Sequence, residues 1–343
     1  MEPDILIARI AACLLLVAAL ASCEWGRSDK PPPPVPGTRL DLPEGSLGTT
    51  AWLADGYVYV VHSSKVIDPY RLWRAAPGRP PQPVALPNLP ECRRTSWVKL
   101  TALLDERLGL ARYCSMEDPR QSHIDSVAYD PKTQRVELLA PLGEYNPTSV
   151  SWHKDLTSGY VSYGTGVCAG FAPLRRKGIG RFPNPITIDG HTWQVDQVFF
   201  DRVDTDCRAQ GRAEQALLTR DERRLVFLAS PESQGNSGQV REIYPWHVYE
   251  QELPDGQPRR VVRGFSDTRG VALAPDGRTL AVAGLRGKEQ GLWLVDLDSG
   301  NMRKLTGAVF SSPAFSPDGR QLAVVRFLDD EHAELRVLNV DRS

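Results

Sequence analysis

The feature that most constrains the fold of this chain is a repeat near its C-terminus. Residues 271–300 read VALAPDGRTLAVAGLRGKEQGLWLVDLDSG, and residues 313–341 read PAFSPDGRQLAVVRFLDDEHAELRVLNVD. Asp276 and Asp318 occupy equivalent places and lie 42 residues apart. A period of about 40 to 45 residues is typical of propeller blades that are built from four strands each. The repeat therefore predicts an all-β protein, a β-propeller of four-stranded blades.

The first copy divides into four strands. VALA and TLAVAG form the first two, and Asp276 and Gly277 between them are expected to supply the positive φ angles of a tight hairpin. LWLVDL is the third strand, and MRKLT is the fourth. The middle strands are apolar on both faces, as expected when each blade stacks between two others. Asp55, Asp276 and Asp318 are interpreted as turn residues rather than as catalytic carboxylates.

Weaker copies upstream raise the predicted number of blades to six. The segments at 52–78 and 217–256 repeat the order of strand, turn and aromatic strand. The segments at 95–141 and 148–195 contain strand-like runs without this signature. Seven blades of about 45 residues would also fit the length of the chain. Six are preferred, with the excess residues assigned to an N-terminal tether and to an insertion around 196–215.

The last repeat contains only three strands before Ser343. The segment TRLDL, which includes Arg39, is predicted to supply the fourth strand from the N-terminal end. Such closure would cover a sheet edge that is otherwise exposed. The propeller is therefore expected to occupy residues 38–343.

The segments APDGRTLAVAG, LWLVDLDSG, SPDGRQLAVV and LRVLNVD resemble the WD-like repeats of TolB-type propellers. Similar repeats occur in the propeller domains of prolyl oligopeptidases. The resemblance is clear over about 265–341 and faint over 50–80 and 215–262. It implies the architecture and carries little information about function.

The N-terminal segment indicates export. Ile10 to Leu20 form an apolar run of eleven residues, too short for a bilayer span of about 20 residues and suited to a signal-peptide core. Leu20-Ala21-Ser22-Cys23 resembles the lipobox of bacterial lipoproteins. This resemblance implies that residues 1–22 are removed and that Cys23 is lipidated. An ordinary secretory signal, with Cys23 merely near the cleavage site, is the alternative.

A proline-rich segment follows Cys23. Pro31 to Pro34 should adopt polyproline II, which extends about 3.1 Å per residue, so residues 23–37 are predicted to form a lipidated, semi-rigid tether. The chain is therefore expected to lie in the cell envelope, lipid-anchored to a membrane on its periplasmic or extracytoplasmic face.

Four cysteines remain once Cys13 is assigned to the signal and Cys23 to the lipid: Cys92, Cys114, Cys168 and Cys207. An even number in an exported chain predicts disulfide bonds. Three pairings are possible. Cys92 with Cys114 and Cys168 with Cys207 are favoured, because the members of each pair are close in sequence.

Charge and motifs exclude several functions. After residue 22 the chain has 40 basic and 40 acidic residues, so nucleic acid is not an expected partner. The sequence contains no G-x-S-x-G, and its six histidines form neither H-E-x-x-H nor H-x-x-x-H pairs. We therefore predict no catalytic residue, no metal site and no cofactor.

The loops that join the second and third strands of the blades should project to one face of a propeller. They would lie at 62–71, 230–240, 285–290 and 328–334, and they are long and polar. The candidate binding residues on this face are His62, Lys288, Asp330, Glu331 and His332.

The leading functional hypothesis is a non-enzymatic, lipid-anchored scaffold that binds another envelope protein. The alternative is a ligand-binding or hydrolytic propeller that acts on a sugar or lactone in its central channel.

Overall fold

The computed structural model describes residues 36–64, 70–86, 94–118, 123–143, 149–164, 177–182, 186–188, 191–193, 196–199, 212–230, 245–329 and 332–340. The predicted signal peptide, the lipidated Cys23 and most of the tether lie outside these ranges, so those expectations stay predictions. All regular elements in the described ranges are β-strands, and none of these residues belongs to a helix that could cross a membrane.

The strands are numbered β1 to β26 in chain order. The first thirteen are β1 (Thr38–Leu40), β2 (Ser46–Trp52), β3 (Val58–Ser63), β4 (Arg71–Ala76), β5 (Arg79–Val84), β6 (Arg94–Ala102), β7 (Leu108–Ser115), β8 (His123–Asp130), β9 (Arg135–Gly143), β10 (Ser149–Trp152), β11 (Gly159–Gly164), β12 (Lys177–Phe182) and β13 (Ile186–Ile188). The others are β14 (His191–Trp193), β15 (Asp196–Phe199), β16 (Arg212–Leu218), β17 (Arg224–Ser230), β18 (Trp246–Glu252), β19 (Arg259–Phe265), β20 (Asp267–Leu273), β21 (Thr279–Arg286), β22 (Glu289–Asp296), β23 (Met302–Thr306), β24 (Phe310–Phe315), β25 (Gln321–Phe327) and β26 (Ala333–Asn339).

Twenty-four of these strands form six four-stranded antiparallel sheets, as the repeat predicts, and β13 and β14 form a separate hairpin. Blades one to six are β2-β3-β4-β5, β6-β7-β8-β9, β10-β11-β12-β15, β16-β17-β18-β19, β20-β21-β22-β23 and β24-β25-β26-β1. The first strand of each blade contacts the first strands of the two neighbouring blades, and blade six returns to blade one. The protein is therefore a six-bladed β-propeller, with the first strands around a central channel.

The hydrophobic core lies between the blades. Buried clusters join blades one and two, three and four, four and five, five and six, and six and one. The second strands β21 and β25 are buried over five consecutive residues each. This burial explains why LAVAG in β21 and LAVV in β25 are apolar at consecutive positions rather than at alternate ones. The fifth buried residue of β25 is Arg326, which is paired with Glu334 at 3.0 Å.

The N-terminal strand closes the ring. Thr38, Arg39 and Leu40 of β1 pair with Val337, Arg336 and Leu335 of β26. Leu40 is buried in the cluster between blades six and one. The closure that was predicted from the three-stranded last repeat is thus confirmed.

The third blade differs from the prediction. Asp196–Phe199, which the sequence assigned to an insertion, is β15, the fourth strand of the blade. The inserted element is instead the hairpin β13-β14, whose ITI and HTW segments resemble blade strands in sequence. Short β-prone runs are alike in sequence, and only pairing with β12 identifies the true fourth strand.

Antiparallel order gives the propeller two distinct faces. The turn face contains the connections between first and second strands and between third and fourth strands of each blade. The loop face contains the connections between second and third strands and those from blade to blade. The described residues of the four predicted binding loops lie on the loop face. The prediction of a long loop at 285–290 is wrong, because Arg286 pairs with Glu289 and only a two-residue turn remains at 287–288.

Candidate functional site

The predicted binding residues of the loop face fall into different environments. His62 is buried, and its Nε2 lies 3.1 Å from the carbonyl oxygens of Pro43 and Glu44. Its ring also lies edge-on to Trp73, with 6.0 Å between centroids. These contacts hold the segment between β1 and β2 against blade one. His62 therefore packs the blade rather than being exposed to a partner.

Lys288 and His332 are exposed on the loop face, as a contact residue must be. His332 is held by its neighbour, because its Nδ1 lies 2.8 Å from the carboxylate of Asp329. Asp330 and Glu331 lie outside the described residues. The structure thus keeps Lys288 and His332 as accessible candidates.

Cys114 is buried in β7. Cys92, Cys168 and Cys207 lie outside the described residues. The pairing of Cys92 with Cys114 and of Cys168 with Cys207 therefore stays a prediction.

Every blade carries an aspartate in the turn between its first and second strands, which the sequence signature showed in only some blades. Each carboxylate accepts a hydrogen bond of 2.8–3.2 Å from the backbone N–H two residues later. These residues are Asp55, Asp105, Asp155, Asp221, Asp276 and Asp318. The interpretation of Asp55, Asp276 and Asp318 as turn residues agrees with this bonding.

The residue after each turn aspartate has positive φ. In three blades it is glycine, but the second, third and fourth blades have Glu106, Leu156 and Glu222 at φ 71°, 58° and 59°. Gly277 has φ 67°, whereas Asp276 is not in the positive-φ region. The expectation that both residues of the Asp276-Gly277 pair adopt positive φ is therefore wrong.

The first strands of all six blades line a central channel with a cavity of about 310 Å³. The residue six positions before each turn aspartate lies on the channel wall. These six positions, here called the channel ring, are Thr49, Lys99, Ser149, Gln215, Gly270 and Ser312. Arg269 lines the channel beside Gly270. The ring therefore contains hydroxyl, amide and cationic groups, although the sequence analysis singled out none of them.

Hydrogen bonds between blades fix the channel ring. The Leu100 N–H of blade two donates to Thr49 Oγ1 at 3.0 Å, and Thr50 Oγ1 donates to the Ser312 carbonyl of blade six. Ser151 Oγ in blade three donates to the Ala216 carbonyl of blade four at 3.0 Å. Polar groups of the first strands are thus shared between blades, which holds the ring in a defined geometry.

Several residues of the channel wall have unusual backbone conformations. The ring residues Thr49, Gln215 and Ser312 lie within β-bulges of their strands, and so does Arg269. Gln215 and Ser312 have φ 58° and 49°, which costs energy for residues other than glycine. A bulge adds a residue to one strand and redirects side chains, and bulges are frequent beside functional sites.

Two cations of the channel come from opposite walls, because blades two and five are three blades apart in a ring of six. Burial lowers the pKa of Lys99, and Glu214 partly opposes this effect. Arg269 Nε lies 3.3 Å from Asp267, and its guanidinium lies 5.9 Å from the centre of the Phe327 ring. Each cation therefore has a nearby carboxylate, but Lys99 and Arg269 line the cavity whereas Glu214 and Asp267 do not.

Near the turn face, Arg220 and Glu106 also line the channel. Glu106 lies 3.9 Å from Lys132. Within the described ranges, no group of three His, Cys, Asp or Glu residues is arranged to hold a metal ion.

No protein-family model matches this chain, and no curated protein matches it. Solved structures match it in fold. The α-L-arabinofuranosidase Arb93A of Fusarium graminearum is 11% identical, with 89% of this chain and 95% of that chain covered and a TM-score of 0.54. The hydrazine synthase of Kuenenia stuttgartiensis is 12% identical, with 87% and 84% covered and a TM-score of 0.51.

TolB of Acinetobacter baumannii is 16% identical, with 78% of this chain covered and a TM-score of 0.47. This chain spans 61% of the length of that TolB. At these identities the likeness to solved structures is one of fold alone, and the fold that they share with this chain is the β-propeller.

Proposed function

We propose that this chain is an exported envelope protein, anchored through lipidated Cys23, and that its propeller is a non-enzymatic scaffold. In this proposal the loop face binds another protein of the cell envelope. The observation that carries the proposal is the direction in which the chain enters the propeller.

The strand β1 runs from the turn face to the loop face. Thr38 pairs with Val337, near the turn-face end of β26, and Leu40 pairs with Leu335, nearer the loop face. Arg336 donates to the Pro36 carbonyl at 3.4 Å and so fixes the point of entry. Residues 36–40 thus enter the propeller at its turn face, and the loop face is at the opposite end of the blades.

The charge of the loop face at blades four and five indicates the chemistry of the partner. Arg263, Arg286 and Lys288 are exposed near the loop-face end of blades four and five. Glu289, the acidic residue of the same hairpin, is paired with Lys304 at 3.1 Å. A surface of this charge favours a partner with an acidic patch, which would increase the association rate and fix the orientation.

A site-specific crosslinking experiment tests the scaffold. A photoreactive amino acid at Lys288 should give a discrete adduct with one envelope protein in intact cells. The matched control is the same amino acid at Lys154, which is exposed on the turn face. Adducts from position 154 alone, or from neither position under several growth conditions, would contradict the proposal.

The anchor is tested separately with Cys23→Ala. The wild-type chain should incorporate radioactive fatty acid and fractionate with membranes, whereas the variant should do neither, because the lipid thioether requires the cysteine. Cys13→Ala is the matched control and should be labelled like the wild type. Labelling of the Cys23 variant would exclude this anchor.

The alternative function is a ligand-binding or hydrolytic propeller that acts on a sugar or lactone in its central channel. The similarity in fold to the α-L-arabinofuranosidase Arb93A supports considering it. Metal analysis of the purified chain distinguishes the two functions. One bound Ca²⁺ per chain would favour the hydrolytic alternative over the scaffold.

A further inference from the structure

We propose that the central channel binds a small organic dicarboxylate, with one carboxylate at Lys99 and the other at Arg269. This site lies in the channel and is independent of a partner on the loop face.

The charges of the wall favour an anion. Of the described residues that line the cavity, Lys99, Arg220 and Arg269 are basic, and Glu106 is the acidic one. Glu106 and Arg220 belong to the turns at the turn-face mouth. Deeper in the channel, Lys99 and Arg269 lie on opposite walls, in blades two and five. Glu214 offsets part of the cost of keeping the Lys99 ammonium partly buried, and an anionic ligand in the channel would offset more of it.

Arg269 keeps donors for a ligand despite its ion pair. The Nε of Arg269 donates to the Asp267 carboxylate at 3.3 Å. Among the described residues, no group accepts a hydrogen bond from the two terminal nitrogens of the Arg269 guanidinium. A guanidinium has five N–H donors in a planar fork, which suits a carboxylate. The contact of the guanidinium with Phe327 limits its orientation.

Neutral groups of the ring lie between the two cations on each side. Blade five, which contains Arg269, lies between blade four with Gln215 and blade six with Ser312. Within the described ranges, the side chains of Gln215 and Ser312 have no hydrogen-bond partner. Both residues have positive φ in β-bulges, a strained arrangement that the surrounding blades maintain. The amide of Gln215 and the hydroxyl of Ser312 can donate hydrogen bonds to carboxylate oxygens of the ligand, in addition to those from the two cations.

The size of the cavity favours a ligand with two separated acidic groups. A volume of about 310 Å³ corresponds to about ten water molecules at about 30 Å³ each. A single inorganic anion would fill only a small part of it and could not contact two opposite walls together. A short chain with a carboxylate at each end can reach both cations and displace the water between them.

Calorimetric titration of the purified full chain tests this site. The probes are succinate, glutarate and adipate, with acetate and inorganic phosphate for comparison. We expect at least one dicarboxylate to bind below about 1 mM and more tightly than acetate or phosphate. Lys99→Met and Arg269→Gln should each raise its dissociation constant roughly 10- to 100-fold, the effect of losing one charge-assisted contact.

Two exposed cations of the loop face provide matched controls. Lys288→Met and Arg286→Gln remove the same charges outside the channel and should leave dicarboxylate binding unchanged. Equal loss in channel and control variants would overturn the proposal. So would the absence of dicarboxylate binding up to about 10 mM, or binding of acetate or phosphate as tight as that of the best dicarboxylate.

A second measurement on the unmodified chain does not depend on the folding of variants. Lysines are acylated with an N-hydroxysuccinimide ester, and the rate at Lys99 is followed by mass spectrometry. A bound dicarboxylate should slow the acylation of Lys99 several-fold and leave that of Lys288 unchanged. Equal rates at Lys99 with and without the dicarboxylate would contradict a site at this residue.

Discussion

At the scale of single residues, the six turn aspartates perform the same task in every blade. Each one accepts a hydrogen bond from the backbone in a turn, and some also bind a nearby hydroxyl group. Ser316 Oγ, for example, donates to Asp318 at 2.6 Å, and the Arg320 N–H donates to the same oxygen at 3.0 Å. These bonds lower the pKa of Asp318, because they stabilise its ionised form.

Removing the Asp318 carboxylate should destabilise the protein. We expect Asp318→Ala to lower the free energy of unfolding by about 1 kcal/mol, since two hydrogen bonds are lost, and Asp318→Asn to have a smaller effect. Urea denaturation at neutral pH measures both variants. Equal stability of the alanine variant and the wild type would show that the turn does not need the carboxylate.

The same aspartate should make stability depend on pH. Its folded pKa lies below the unfolded value of about 3.9, so its contribution is present above about pH 4 and is lost as the pH falls through the folded pKa. Asp318→Asn cannot titrate and should lose less stability than the wild type between about pH 4 and pH 2. Urea denaturation across this range compares them. Identical slopes would contradict this role.

Leu156 occupies a position that usually favours glycine. Because its φ is 58°, Leu156→Gly should relieve backbone strain and raise the free energy of unfolding by up to about 1 kcal/mol. Gly277→Ala makes the opposite change at the equivalent place and should be destabilising. Thermal unfolding of the two variants measures the effects. Destabilisation by both changes would mean that contacts of the Leu156 side chain outweigh the strain.

At the scale of elements, the three residues of β1 complete a blade that begins about 270 residues later in the chain. The middle strands of the blades are recognisable from their apolar sequences, whereas β1 is short and only Leu40 in it is buried. The closing strand therefore depends on one side chain and on its backbone pairing with β26.

Leu40→Ala should weaken the closure. Leu40 packs between blades six and one, so we expect the free energy of unfolding to fall by roughly 2–4 kcal/mol. Arg39→Ala is the matched control in the same strand, because the side chain of Arg39 is 59% exposed and should contribute little. Urea denaturation compares the variants, and equal losses for both would contradict closure through Leu40.

At the scale of the whole molecule, each blade depends on its neighbours. The buried clusters lie between blades, and polar groups link them as well. Between blades four and five, Arg224 donates to the Gly277 carbonyl at 2.8 Å and lies 3.7 Å from Asp298. Glu250 lies between Arg224 and Arg259, and Arg259 donates to the Leu297 carbonyl at 3.0 Å. A closed ring joined in this way has no free end from which to unfold.

We therefore expect the six blades to unfold as one cooperative unit. Transitions followed by tryptophan fluorescence and by far-ultraviolet circular dichroism should coincide. Leu225→Ala in blade four should shift both transitions together, as should Leu40→Ala in blade six. Separate transitions by the two probes would show that individual blades are independent.

Local patterns of the sequence determined the all-β class, the six blades and the closing strand. Apolar second strands and turns such as 276–277 and 318–319 depend on interactions within a few residues, so they can be predicted from the sequence without knowledge of the fold. The turns at Asp105 and Asp155 were missed because Glu106 and Leu156, rather than glycine, follow them. Only the matching bonds in the structure show that these turns are equivalent to the others.

The tertiary structure alone decided which residues meet in the channel. Lys99 and Arg269 are 170 residues apart, and they lie on opposite walls of the channel because six blades close into a ring. It also placed His62 in the interior, since the segment before β2 packs over that side chain. Hydrophobic patterning specifies which strands are buried. Which side chains meet at the channel axis depends instead on the number of blades and on their order around the ring.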